Sequence, residues 1–341
     1  MKIHIFYNIT NKPWGGGNQF LRALKKYFIS VGVYEKDLSK AGVILFNSHH
    51  DWRKILYLKY KYSEKIFIHR VDGPVGEYRG VGGVVDKLIY RLNNLIADGT
   101  IFQSEWSKRE NYQLGMKKNK YETIIMNAPD LKIFKRKNRK THFGEKIKLI
   151  ATSWSANLNK GFELYKYLDE NLDFFKYDMT FIGNSPISFK NINLVRPLDS
   201  EKLANELRKH DIFITASKND PCSNSLIEAL HSGLPAVVLN DGGHPEIVGK
   251  AGEVFEGELD VIGKISRVAS GYDQYVGSIK MLDIFEISEK YYSFIKKIYL
   301  ESKIGQLTPK KISGMDYFKL VFKFKVKLLW LRLKVKISRY V

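Results

Sequence analysis

One cysteine, Cys222, is all the thiol that the 341 residues contain. A disulfide framework and a cysteine-ligated metal cluster are thereby excluded, and a reducing cytosol is the expected compartment. Long apolar runs are missing as well: no uninterrupted stretch reaches the roughly 18 residues that mark a spanning helix. The opening MKIHIFYN alternates like a strand and lacks the apolar core of a signal peptide. There is no repeat of solenoid length, no GxGxxG fingerprint, and no His/Asp/Glu cluster at metal-ligand spacing. Acids are scarce beside bases, 36 against 56, which leaves a net charge of +20. Such an excess asks for a nucleic acid, an anionic membrane or a phosphorylated substrate.

What is present is a series of short, β-branched apolar runs separated by helical patterns. IHIFYN (3–8), GVILFN (42–47), KIFIHR (65–70), GTIFQS (99–104) and ETIIMN (122–127) form a first set. IKLIATS (147–153), DMTFIG (178–183), INLV (192–195), DIFITAS (211–217) and PAVVLND (235–241) form a second. Near-continuous apolar strands alternating with helices indicate parallel sheets covered on both faces, the doubly wound α/β class. The charged stretch 135–146 divides the sets and reads as a linker. The expected organisation is therefore a Rossmann-like domain over 1–134, a second over 147–282, and a cleft where the carboxyl ends of the strands face each other.

Residues 283–304 read as a long helix, and 305–341 as a basic, apolar tail. From Lys319 on there are eight Lys or Arg and no acid. Wound as a helix, these bases form two stripes with apolar bands between them; a period-2 reading fits FKFKVKL equally. Dense Phe, Leu and Trp among lysines point to an anionic membrane surface rather than to nucleic acid, for which no binding motif is present. The expectation is a cytoplasmic protein held peripherally at a membrane.

The richest segment is NDPCSNSLIEALHSGLPAVVLNDGGHPEIV, from Asn219 to Val248. Ser223 is a good N-cap, Leu226, Ile227 and Leu230 share one face, and Gly233 stands where a helix ends, so a helix runs over about 224–232. Asp220 precedes the cap and Glu228 lies within the helix. A helix start brackets an anion with free N–H groups, while carboxylates accept hydrogen bonds from vicinal hydroxyls. A diphosphate flanked by sugar and ribose has that layout.

This segment resembles the retaining glycosyltransferases of family 4, which have the GT-B architecture. Their signature is an acid, seven residues, a second acid, a Gly-Leu-Pro strand and a Gly-Gly-x-Pro-Glu loop. Here the series reads Asp220, Glu228, SGLPAVVL and DGGHPE. The resemblance implies Asp220 at the donor hexose, Glu228 at the ribose, and Gly242, Gly243, His244 and Glu246 beside sugar and diphosphate. It implies that Lys160, in a Lys-Gly pair after the strand 147–153, neutralises the leaving diphosphate together with the N–H groups of Asn224 and Ser225. Gly183 closes the nucleotide pocket, and Gly16 and Gly17 in NKPWGGGNQF approach the sugar-phosphate. Two positions depart from the pattern: Asp220 stands where the family prefers Glu, and Ser155 where it commonly has Arg.

For the first domain the resemblance places a His at a strand end near the acceptor hydroxyl. His69 fits by position, with Arg70 and Asp72 as acceptor-side candidates. The activity implied is transfer of a sugar from a nucleotide diphosphate-sugar to a glycan or lipid-linked glycan, with retained configuration and no metal or other cofactor, in surface polysaccharide synthesis. A nucleotide-sugar epimerase of the same architecture, or a non-catalytic sugar-nucleotide-binding subunit, are the alternatives.

Overall fold

The computed structural model of the protein describes residues 1–10, 15–76, 83–136 and 145–337. Most of the expected linker, residues 137–144, lies outside them. The chain divides into two compact units, one of 1–9, 24–126 and 285–341, the other of 10–23 and 127–284. The division falls inside helix α1 (Gly15–Ser30).

The first unit holds a five-stranded parallel sheet in the order β1 (Ile3–Phe6), β2 (Val43–Asn47), β3 (Ile66–Val71), β4 (Gly99–Phe102), β5 (Glu122–Ile124). Val43–Asn47 and Ile66–Val71 are buried along their whole length, as strands covered on both faces must be. After β1 the chain first pairs Tyr34 with Ile3 in a one-residue bridge, then crosses to the other side of β1 to form β2. The winding therefore reverses at β1, and helices cover both faces. The crossovers carry α2 (Trp52–Lys61), α3 (Val84–Ile96) and α4 (Glu105–Gln113).

The second unit has a six-stranded parallel sheet. Its strands are β6 (Ile147–Ser153), β7 (Tyr177–Gly183), β8 (Asn193–Val195), β9 (Ile212–Thr215), β10 (Ala236–Leu239) and β11 (Gly252–Phe255). Their order is β11-β10-β9-β6-β7-β8, so the chain winds one way from β6 and the other way from β9. Helices α5 (Phe162–Asn171), α6 (Ser200–Leu207), α7 (Asn224–His231), α8 (His244–Val248), α9 (Glu258–Ser270) and α10 (Tyr272–Gly277) complete it. Leu149, Phe181, Ile214, Val237, Phe255 and Ile265 share its core. The switch point lies between β6 and β9, and a crevice must open beyond their carboxyl ends.

The last two helices, α11 (Ile284–Lys303) and α12 (Gly314–Ile337), belong to the first unit. Gly42 and Gly99 let α11 approach: a Cβ at Gly99 would stand 2.5 Å from Ile298 Cδ1, and one at Gly42 2.9 Å from Tyr299 Cε2. The stretch 319–337 is helical, which resolves the two readings of the tail. It is also not a separable extension, as the sequence led us to expect. Ile312, Leu320 and Phe324 are buried in one core cluster with Trp52, Ile55, Leu88 and Leu92 of α2 and α3. Ending the chain after Gly305 would strip that cluster of three buried side chains.

Candidate functional site

The loops that follow β6 and β9 carry the residues singled out in the sequence. After β6 the chain makes a 3-10 turn over Leu158–Lys160, closed by Gly161 at φ 78°. A Cβ at Gly161 would stand 2.3 Å from the Ala216 carbonyl oxygen, so this turn packs directly on the backbone after β9. Lys160 thereby reaches Asp220: Nζ to Oδ2 is 3.1 Å, and each side chain is 15% exposed. Asp220 Oδ1 also accepts from the Cys222 N–H at 3.3 Å. Burial alone would raise the Asp220 carboxyl, but Lys160, His244 and the Cys222 N–H hold it below the ordinary carboxylate range.

The Gly-Gly loop closes over the same backbone. Gly242 adopts φ 65°, and a Cβ there would lie 2.3 Å from the Asp220 carbonyl oxygen. The Gly243 N–H donates to that oxygen at 2.9 Å. Only glycine permits this approach. His244 opens α8 fully buried. Burial lowers its pKa, with Asp220 pulling the other way. Glu246 is half-buried in the first turn of α8.

At the start of α7 the Ser223 side chain accepts from the Leu226 N–H at 3.5 Å, as an N-cap does. The first N–H groups, of Asn224 and Ser225, have no intrahelical acceptor. Asn224 is held from one side by Asn127, whose Nδ2 donates to its Oδ1 at 3.1 Å. On another side Gly16 approaches so closely that a Cβ there would stand 2.3 Å from Asn224 Cγ. Asn127, to which the sequence assigned no role, thus positions the helix start. Among the described residues, nothing stands within 4 Å of where a side chain at Gly17 would begin.

Glu228 lies four residues, about 6 Å, along α7 from Asn224. It lines a concavity with Gln19, Arg22, Asp130 and Ser200, all of the second unit. Solvent reaches its carboxyl only in part, and burial pushes it up to about 8. Arg22, Asp130 and Ser200 were not foreseen, because nothing local in sequence ties them to Glu228.

Gly183 and Ser155 occupy structural places. Gly183, at φ 146°, pairs with Ser153 across β6–β7, and a Cβ would overlap the Ser153 carbonyl oxygen at 1.8 Å. Ser155 accepts from the Asn157 N–H at 3.2 Å and so shapes the turn that leads to Lys160.

In the first unit His69 is not where its expected role requires. It is wholly buried, stacked on Phe46 at 4.2 Å between centroids, with its nitrogens bonded to Asn93 Oδ1 at 3.1 Å and Ser48 O at 3.0 Å. Burial lowers its pKa to about 4. Both faces of β3 are covered, so a strand-end position does not expose it; the structure corrects the expectation of a catalytic histidine here.

Its neighbours do form a polar cluster at the carboxyl ends of β2, β3 and β4. Buried Arg70 donates to Asn47 Oδ1 at 2.5 Å, Gln103 Oε1 at 2.5 Å and Asp72 Oδ1 at 3.0 Å. Gln103 also donates to Asp72, whose side chain is 32% exposed. Tyr7 stands beside it, its hydroxyl pKa raised by burial and then by the Asp72 charge.

With the geometry in hand, the comparisons can be placed. The family described as "Glycosyl transferases group 1" matches residues 179–269, the part that carries Asp220, Glu228 and the Gly-Gly loop. No curated protein matches the sequence. Among solved structures, the Anabaena protein Alr3699/HepE in complex with UDP and glucose is 13% identical, with a TM-score of 0.66 over 87% of this chain and 99% of that one. Sucrose-phosphate synthase from Thermosynechococcus elongatus is also 13% identical, with a TM-score of 0.63 over 89% and 97% of the two chains. A trehalose-6-phosphate synthase, OtsA, is 12% identical, with a TM-score of 0.57 over 82% and 77%. The fold is that of the GT-B glycosyltransferases.

Proposed function

We propose that the chain is a glycosyltransferase that moves a sugar from a nucleotide diphosphate-sugar to a hydroxyl of a glycan or lipid-linked glycan, with retained anomeric configuration, in surface polysaccharide synthesis. The observation that carries the reading is the convergence of Lys160, Asp220, the start of α7 and the Gly242–Gly243 loop at the switch point of the second sheet. The family match over 179–269 supports it, and the UDP and glucose bound to the HepE protein make UDP-sugars the first donors to test.

In this reading the donor diphosphate lies against the Asn224 and Ser225 N–H groups and Lys160. As the sugar–phosphate bond breaks, negative charge develops on the leaving oxygen, and these donors are already in place to meet it. Asp220 accepts from hexose hydroxyls with the carboxylate that Lys160 keeps ionised. The leaving phosphate takes the proton of the acceptor hydroxyl, so no separate base and no metal is invoked. A screen of nucleotide sugars for binding, followed by radiolabelled transfer with glycan acceptors, tests the whole. Donor isomerised without acceptor would assign an epimerase instead; tight binding without turnover under any acceptor would assign a binding subunit.

Glu228 gives the donor site a pH signature. Ribose hydroxyls donate to the ionised carboxylate, so binding favours the form that burial disfavours. Donor affinity should therefore rise by up to about tenfold per pH unit below pH 8 and level off above it. Calorimetry with a UDP-sugar, whose diphosphate does not titrate in this range, measures the slope; Glu228→Gln should flatten it.

On the first unit we assign acceptor binding to Asp72, whose carboxylate is oriented by Arg70 and Gln103 and partly exposed. Asp72→Asn should weaken acceptor use by about 10- to 100-fold in kcat/KM, the loss of one charge-assisted hydrogen bond, and leave donor affinity unchanged. Steady-state kinetics with acceptor varied provides the check.

A further inference from the structure

Helix α12 carries two apolar stripes, and the first unit uses only one. On the inner side Leu320 and Phe324 are buried and Leu328 half-buried against α2 and α3, with the Phe324 ring edge-on to Trp52 at 6.3 Å. On the outer side Met315, Phe318, Phe322, Val326, Leu329 and Trp330 stand exposed, Phe322 at 73% and Trp330 at 63%. At about 100° per residue these six fall within an arc of roughly 120°. Lys323 and Lys327 border the arc on one side and Lys325 on the other, with Lys319 inside it near Trp330, all exposed. No acid follows Asp316 in the sequence, which continues with Arg332, Lys334 and Lys336.

This pattern selects its occupant. A second copy of the stripe would bring lysine edges against lysine edges. A bilayer leaflet with anionic headgroups instead receives the apolar arc in its acyl boundary and the ammonium groups at its surface. No helix among the described residues is long and apolar enough to span, so a contact along the leaflet is the one proposed. On the inner side, half-exposed Tyr57 and Tyr60 of α2 lie against Tyr317 at 6.5 and 6.0 Å between centroids and help to hold α12 on the first unit.

We propose that α12 is a docked membrane-binding helix, lying along an anionic leaflet with Phe318, Phe322, Leu329 and Trp330 inserted while Leu320 and Phe324 fasten it to the protein. The inference does not rest on the sugar-transfer reading, since vesicle binding needs no donor and can succeed or fail by itself.

The test is sedimentation of the full-length protein with vesicles of phosphatidylcholine, alone or mixed with phosphatidylglycerol. Wild type should bind the mixed vesicles, weakly at high salt, and leave the neutral ones in solution. Phe322→Ser/Leu329→Ser/Trp330→Ser should lower partitioning at least about tenfold while leaving thermal unfolding unchanged, because these side chains are already exposed. Lys323→Gln should lower it about fivefold, the equivalent of about 1 kcal/mol for one base near the surface. Wild-type binding by the triple variant, or equal binding to neutral and anionic vesicles, would overturn the proposal. So would a wild-type dimer that the triple variant dissolves, since the stripe would then be covered by a second copy.

Discussion

Lys160→Ala should lower kcat for sugar transfer by about 10²–10³-fold while changing donor affinity much less. The reason lies in the turn that holds the side chain. Gly161 lets residues 158–160 pack on the backbone after β9, so the ammonium group is fixed before any ligand arrives and need not reorganise as charge develops. Preorganised donors of this kind are typically worth that factor. The variant also leaves Asp220 without its cation, so two further variants separate the effects. Lys160→Arg retains the charge with altered reach and should recover part of the rate. Asp220→Asn with Lys160 intact should affect hexose recognition, read in KM for the donor, more than leaving-group departure. Single-turnover transfer with saturating donor decides the matter: a Lys160→Ala protein that turns over at the wild-type rate would remove the site from the second unit.

The second large effect is on stability. Asp98→Ala should cost the first unit about 3–5 kcal/mol, seen as a lower urea midpoint. Buried Asp98 accepts from Lys59 Nζ at 3.2 Å, the Phe67 N–H at 2.8 Å and the Lys310 N–H at 2.7 Å. Lys59 is likewise buried and also donates to the Lys65 carbonyl at 2.9 Å. Burial lowers the Lys59 pKa, and Asp98 is the main group opposing that shift. Without the carboxylate, an ammonium group is left desolvated and the segment leading to α12 loses its anchor on β4. Lys59→Met/Asp98→Leu should recover much of the loss, because a buried pair replaced by apolar groups of similar volume leaves no orphan charge. Equal damage from the single and double changes would mean that the pair itself, and not the orphaned charge, carries the stability.

How much of this was legible in the sequence follows from how local each signal is. Ten of the eleven described strands could be read as short apolar runs, Val43–Asn47 being buried from end to end; β11 was missed, because GEVF is brief, carries a charge and is only partly covered. Lys160 and Asp220 were singled out one by one through the family resemblance; their ion pair, across 60 residues of sequence, depends on a strand order that the sequence does not state. His69 misled for the same reason that made its strand easy to find: in a run buried on both faces, nothing in the period tells the last residue apart from the core. The Asp98 cluster joins residues 39 and 212 positions apart, and no short motif announces such a pairing. The tail resisted assignment because its apolar residues lie on two opposite sides of one helix, which erases the single-sided periodicity that marks an ordinary amphipathic helix. Nor could the burial of Glu228 be foreseen, since its concavity is built partly from α1 and from residues 129–134.

The return of α11 and α12 to the first unit has a consequence for the order of events during synthesis. The chain leaves the ribosome from its amino end, at about 5–20 residues per second. Every segment of the second unit, 10–23 and 127–284, has been made when α11 is only beginning. The first unit has its five strands by then, but Ile298 is not yet there to meet Gly99, and Leu320 and Phe324 are not yet there to cover α2 and α3. Although it begins at residue 1, it is the last to close. Its unfinished apolar face is what chaperones would meet on the nascent chain, and a ribosome stalled near residue 284 should display a folded second unit beside a first unit still sensitive to protease.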